Sequence, residues 1–159
     1  MTLLLSLVPL RAQDTLTVSR DTLVVEAMKY LGVPYKWAGK TPKGFDCAGF
    51  TRFIYRKFDI LLPPSAGAQY KVGVKVSQED LSVGDLVFYG DRHRHSLVGH
   101  VGIVTAVYGD SFEFIHAATS KGICITSSKE AYYRKRYIGA RRVAIFSDSF
   151  PAELPQPQE

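Results

Sequence analysis

Apolar residues recur at helical spacing in the first third of the chain and alternate with polar ones in the rest. Over residues 21–31, Leu23, Ala27, Met28 and Leu31 fall on one helical face, Asp21 can cap the start, and Gly32 with Pro34 ends the run. Residues 46–58 repeat the pattern with Phe50, Phe53, Ile54 and Phe58 behind Asp46, and the glycines and prolines of residues 32–44 mark the loop between the two helices. After "LLPPS" the period drops to two. "GDLVFYG", "HVGIVTAVYG", "SFEFIHAA", "GICITSS" and "YIGARRVAIF" read as strands separated by Gly, Asp and Ser turn signals. Helices first and strands afterwards predict an α+β fold, with N-terminal helices packed on a five- to six-stranded antiparallel sheet.

Composition fits that picture. A chain of 159 residues that is 46% hydrophobic and 22% charged suits one domain with a real core, here expected over residues 14–150. The opening "MTLLLSLVPLRAQ" resembles the second half of a secretory signal peptide without its basic start, so residues 1–13 are expected to be removed on export. No later apolar run reaches transmembrane length, and the proline-rich residues 151–159 are expected to be a disordered tail. The net charge of +5 is a mild bias that suits an anionic polymer, but no basic stripe interleaved with aromatics points to nucleic acid. "YYRKRYIGARR", the densest basic segment, reads as a solvated turn leading into a terminal strand.

Two cysteines are too few for a disulfide scaffold. Cys124 reads as a half-buried strand residue that shares a face with Thr126, away from any site. Cys47 is different. It falls in the first turn of the second helix, where unpaired backbone N–H groups favour a thiolate, on the same face as Phe50 and Ile54. A nucleophile needs a base, and the candidates are His93, His95, His100 and His116. His93 and His95 lie in a polar loop, and a zinc site built from them with His100 lacks a second cluster. His100 and His116 belong to the two strands of one hairpin. A three-residue loop of Val107, Tyr108 and Gly109 pairs Ala106 with Asp110 and sets His100 opposite His116, facing the helix that carries the thiol. A two-residue loop would send the rings to opposite faces. Thiol, base and orienting group make an acyl-transfer site that needs no metal or cofactor.

"GFDCAGF", "LSVGDLVFY", "GHVGIV" and "FIHAAT", in this order over residues 23–143, resemble the NlpC-type papain-like cysteine peptidases of bacterial cell walls, and "LLPPSAGAQY" with "YYRKRYIGARRV" resembles their murein endopeptidase branch. The resemblance implies a papain-like fold, Cys47 as nucleophile, His100 as base and His116 as the group that orients it. It further implies that Tyr35 supports the oxyanion and that Asp46, besides capping the helix, meets the substrate's amino end. The implied substrate is a peptidoglycan stem peptide, cut at the D-glutamyl-diaminopimelate bond or at the D-alanyl cross-link, in the periplasm or cell envelope of a bacterium. An acyltransferase or amidase, and a wall-binding domain without activity, are the alternatives. Two positions depart from the pattern: Ala48 stands where the family has Ser, and Pro64 where many relatives carry a basic residue. Trp37 reads as either a groove wall or core.

Overall fold

The computed structural model describes residues 11–143, with side chains from Arg20 onward. The expected tail lies outside the described residues, as does the expected leader up to residue 10. In chain order the elements are α1 (Arg11–Met28), β1 (Lys40–Thr41), β2 (Gly44–Phe45), α2 (Cys47–Arg56), α3 (Ala66–Gln69), β3 (Val74–Val76), β4 (Leu86–Gly90), β5 (Val98–Tyr108), β6 (Ser111–Ala118), β7 (Gly122–Ser127), α4 (Ala131–Arg134) and β8 (Tyr137–Arg142). The six longer-range strands form one antiparallel sheet in the order β3-β8-β4-β5-β6-β7, and β1 pairs with β2 separately. All five expected strands are present. The sixth is β3, on the edge.

Strand alternation sorts the core into two clusters. Leu86, Phe88, Val101, Ile103, Ile115 and Ala117 face α1 and α2, where Leu23, Ala27, Phe50, Ile54 and Tyr55 cover them. Val87, Tyr89, Val104, Phe112 and Phe114 face the other way and are covered by Tyr133 and Tyr137 from the segment around α4. The "YYRKRY" run, where a solvated turn was expected, ends the short helix α4 and leads into β8, with Tyr133 and Tyr137 packed on this cluster and Tyr132 exposed. α1 also departs from expectation: it begins well before Asp21, which therefore caps nothing, and it stops at Met28, leaving Leu31 exposed in the following turn.

The hairpin of β5 and β6 corrects the expected register. Tyr108 pairs with Ser111, so the loop is the two residues Gly109 and Asp110, with Gly109 at a φ of 60°. Such a loop alone would separate the two imidazoles. A β-bulge restores them: Val104 pairs with Phe114 but Ala106 with Glu113, so Thr105 is an extra residue that flips the alternation once. His100 and His116 therefore share a face. It is the face of Phe114 and Tyr89, turned away from the core that α2 covers, because Val101, Ile103, Ile115 and Ala117 occupy the helix side. Gly102 makes room for this arrangement, since a Cβ there would come within 2.7 Å of the Phe114 ring and 3.2 Å of His116 Cβ.

At the far end of β4, Asp85 is fully buried and ties three segments together. Its carboxylate accepts from Arg142 Nε at 2.9 Å and Nη2 at 2.8 Å on β8, from Arg20 Nη1 at 3.3 Å on α1, and from the backbone N–H of Ser82 at 2.9 Å. Removing one side of a buried pair leaves charge without a partner, which typically costs about 3–5 kcal/mol. Asp85→Ala is expected to lose stability of that order in urea unfolding. A loss below about 1 kcal/mol would contradict the role given to this cluster.

Candidate active site

The first turn of α2 is built to hold a side chain at its mouth. Asp46 is the N-cap, in extended conformation, and its Oδ1 accepts from the Gly49 N–H at 2.6 Å. The Asp46 N–H donates to Gly39 O at 2.9 Å, drawing the preceding loop against the helix start. Gly49 permits that approach, because a Cβ there would sit 2.0 Å from the same carbonyl. From behind, the buried Gln69 of α3 donates to Ala48 O at 3.1 Å and accepts from Thr51 Oγ1 at 2.7 Å. The residues on either side of Cys47, Asp46 and Ala48, are thus both held in place.

Cys47 lines a cleft of about 190 Å³ together with Tyr35, His100, Tyr89, Tyr133 and Arg136. Its Sγ lies 3.9 Å from Gly99 O. Gly99 is itself an extra residue, since Tyr89 pairs with His100 but Gly90 with Val98, and this second bulge bends the start of β5. His100 follows it. The ring of His100 meets that of His116 through Nε2 and Nδ1 at 2.8 Å, with the two planes perpendicular. Tyr133 packs against both rings from the far face. Tyr35 is held by a bridge to Phe45, and burial, then the proximity of Cys47 and Asp46, raises its hydroxyl pKa.

Burial dominates the electrostatics. It pushes the Cys47 thiol up to about 11, the Asp46 carboxylate adds to this, and backbone N–H groups around the first turn and Val101 only partly offset it. The expectation that the helix start alone would favour a thiolate is therefore outweighed. Burial likewise lowers His100 to about 4, and lowers His116 with a further contribution from His100. Burial thus disfavours the charged form of each of the three groups taken singly.

Of the remaining expectations, His93 and His95 are exposed in the loop before β5. Among the described residues no cluster of three or more His, Cys, Asp or Glu is arranged to hold a metal ion. Trp37 is 85% exposed, which rules out core. Ala48 is buried and Pro64 is exposed. Cys124 requires a correction: it stands directly across from His116, and its Sγ is 3.8 Å from His116 Nε2, because even spacing on β7 places Cys124 and Thr126 on the histidine face. Thr126 Oγ1 is closer still, at 2.8 Å. The pairing of β6 with β7 could not be read from either strand separately. Tyr133 and Arg136 also line the cleft, which nothing in the basic run signals; the Arg136 guanidinium stacks 3.8 Å from the centre of the Tyr132 ring.

Residues 32–142 match the NlpC/P60 family. The chain is 39% identical over 143 residues to the gamma-DL-glutamyl hydrolase of Bacillus subtilis strain 168, covering 89% of this chain and 33% of that protein. It is 42% identical over 113 residues to the murein DD-endopeptidase MepS/murein LD-carboxypeptidase of Escherichia coli K12, covering 70% of this chain and 56% of that one. The chain thus spans between a third and somewhat over half the length of these curated relatives. Among solved structures, an NlpC/P60 family protein from Bacillus cereus ATCC 10987 superposes with a TM-score of 0.71 at 35% identity, over 77% of this chain and 39% of that one. The helices packed on an antiparallel sheet are accordingly of the papain-like kind.

The lowered pKa values of buried His116 and half-buried His100 make stability depend on pH. In the unfolded chain each binds a proton near pH 6.5, whereas folded His100 resists until about 4, so between these values the unfolded state binds more protons. Their contribution is complete above about pH 6.5 and is lost as pH falls towards 4. The urea midpoint of the wild type is expected to drop between pH 7 and pH 4.5 by more than that of a His100→Gln, His116→Gln double variant. Equal drops would contradict the assignment.

Proposed function

Because the chain belongs to the NlpC/P60 family, we propose that it is a cell-wall cysteine peptidase that hydrolyses an amide bond in peptidoglycan stem peptides. One observation carries the reading: the 2.8 Å bond from His100 to His116 lies at the wall of the cleft that holds the Cys47 thiol. Nε2 of His100 is engaged with His116, which leaves Nδ1 as the basic nitrogen for the thiol.

Both groups of the Cys47–His100 pair are disfavoured as lone charges, so ionisation proceeds as a proton moves between them. The Sγ proton passes to His100 Nδ1 while sulfur forms a bond to the amide carbon. The oxygen of the tetrahedral intermediate carries the negative charge and is held by the Tyr35 hydroxyl and the Cys47 N–H. His100 returns its proton to the departing amine nitrogen, the C–N bond breaks, and a thioester remains on Cys47. Water then attacks, giving its proton to His100, and the thiol leaves with that proton as the acid is released. His116 keeps His100 in the productive orientation throughout. Asp46, beside the thiol at the cap, is available to a substrate amine.

The names of the relatives support the substrate class and two bond types, a gamma-glutamyl linkage and a murein DD cross-link. Ala48 offers no hydroxyl to the substrate, which leaves recognition to Tyr35, Asp91, Arg92 and Arg136 of the cleft and to Asp46 at the helix cap. Such a substrate lies outside the cytoplasm, and residues 1–13 are the proposed export signal. No helix among the described residues is long and apolar enough to cross a membrane.

Mass analysis of purified muropeptides, cross-linked and uncross-linked, provides the test. Wild type is expected to release fragments whose masses identify the bond, Cys47→Ala to release none, and His100→Ala to be slower by at least roughly 100-fold. Fragments from the Cys47→Ala protein, or none from the wild type, would contradict the proposal.

A further inference from the structure

We infer that Thr126 is a positioning residue for the reaction, the terminal hydrogen-bond acceptor of a relay running His100, His116, Thr126. The inference rests on the reading of His100 as base. Thr126 lies on β7, two strands from β5, and is 7% exposed. Its Oγ1 is 2.8 Å from His116 Nε2, and Cys124 Sγ lies 3.8 Å from that nitrogen and 3.9 Å from Oγ1. Every polar atom of the His116 ring therefore has a partner, although none is a carboxylate.

Only one proton can occupy the short contact between His100 Nε2 and His116 Nδ1. Two arrangements satisfy the chain. In the first, His100 Nε2–H donates to His116 Nδ1 and His116 Nε2–H donates to Thr126, leaving His100 Nδ1 free to take a proton. In the second every bond is reversed: Thr126 donates, and His100 Nδ1 already carries hydrogen and is no base. A hydroxyl can serve in either, but the reaction cannot. When His100 accepts the thiol proton, both of its nitrogens carry hydrogen, so His116 Nδ1 must accept and His116 Nε2–H must donate. Thr126 Oγ1 is the oxygen placed to receive that bond, and its own O–H can turn towards Cys124 Sγ. No proton crosses from His100 to His116 at any stage. Without the hydroxyl, His116 would hold a buried N–H lacking a strong acceptor at the moment His100 is charged. Cys124 alone, a weak and distant sulfur acceptor, would not replace it.

The test compares Thr126→Val, which keeps the shape, with Thr126→Ser, which keeps the hydroxyl, in the full chain. Thr126→Val is expected to lower kcat on muropeptides by roughly 10- to 100-fold with KM within about 2-fold, and Thr126→Ser to stay within about 3-fold of wild type. Nitrogen-15 NMR of the histidines supplies a readout independent of turnover. Wild-type His116 is expected as the Nε2–H tautomer, and that preference is expected to weaken in Thr126→Val. The Nδ1–H tautomer in the wild type, or equal kcat in the Val and Ser variants, would overturn the inference even with hydrolysis intact. Should Thr126→Val fail to fold, the wild-type tautomer and the Ser variant still decide it. Absence of hydrolysis by the wild type overturns the proposed function, while the tautomer continues to report on Thr126.

Discussion

The contact between His100 and His116 is the constraint on which the rest of the site depends. Two imidazoles on adjacent strands touch edge to face only if both project from the same side of the sheet, and the two-residue turn at Gly109 and Asp110 works against that. The extra residue at Thr105 corrects the alternation. Gly102 then leaves space for the side chains of Phe114 and His116, and Tyr133 packs against both imidazoles. A loop, a bulge and a glycine thus act together to produce one 2.8 Å contact.

The helix that carries Cys47 packs on the opposite face of the sheet from the histidines, and the two meet only where β5 begins. That geometry follows from burial. Apolar residues of β5 and β6 face α1 and α2, so the histidines between them point away, and Cys47 and His100 line the same cleft beside the bulge at Gly99. The same burial disfavours the charged form of thiol and imidazole taken singly. On the proposed mechanism, charge arises only as the proton moves between them, and the cleft wall of Tyr35, Arg92 and Arg136 is where substrate polar groups are received.

Much of this was legible in the chain because it depends on local pattern. The alternation in "HVGIVTAVYG" and "SFEFIHAA" marks strands, Asp46 is a capping residue directly before Cys47, and four motifs in order resemble one family. The register was not legible, because a bulge leaves no mark on the alternation of apolar residues until its partner strand is known. Cys124 and Thr126 were placed on one face correctly but assigned no neighbour, since the pairing of β7 with β6 puts His116 across from Cys124. Tyr133 and Arg136 were hidden by composition: a basic run suggested solvent, and only the fold packs Tyr133 and Tyr137 on the second core face. Likewise Asp21 looked like a cap because the helix was counted from its first clear apolar repeat.

On the proposed mechanism Cys47 forms a covalent bond to the substrate's acyl group. The most direct measurement is intact-protein mass spectrometry after rapid acid quenching during turnover of a purified muropeptide. A mass increase equal to the acyl fragment, located on the peptide that contains Cys47 and absent from Cys47→Ala, is the predicted result. Hydrolysis with no adduct on Cys47 at any quench time, together with undiminished turnover by Cys47→Ala, would contradict it.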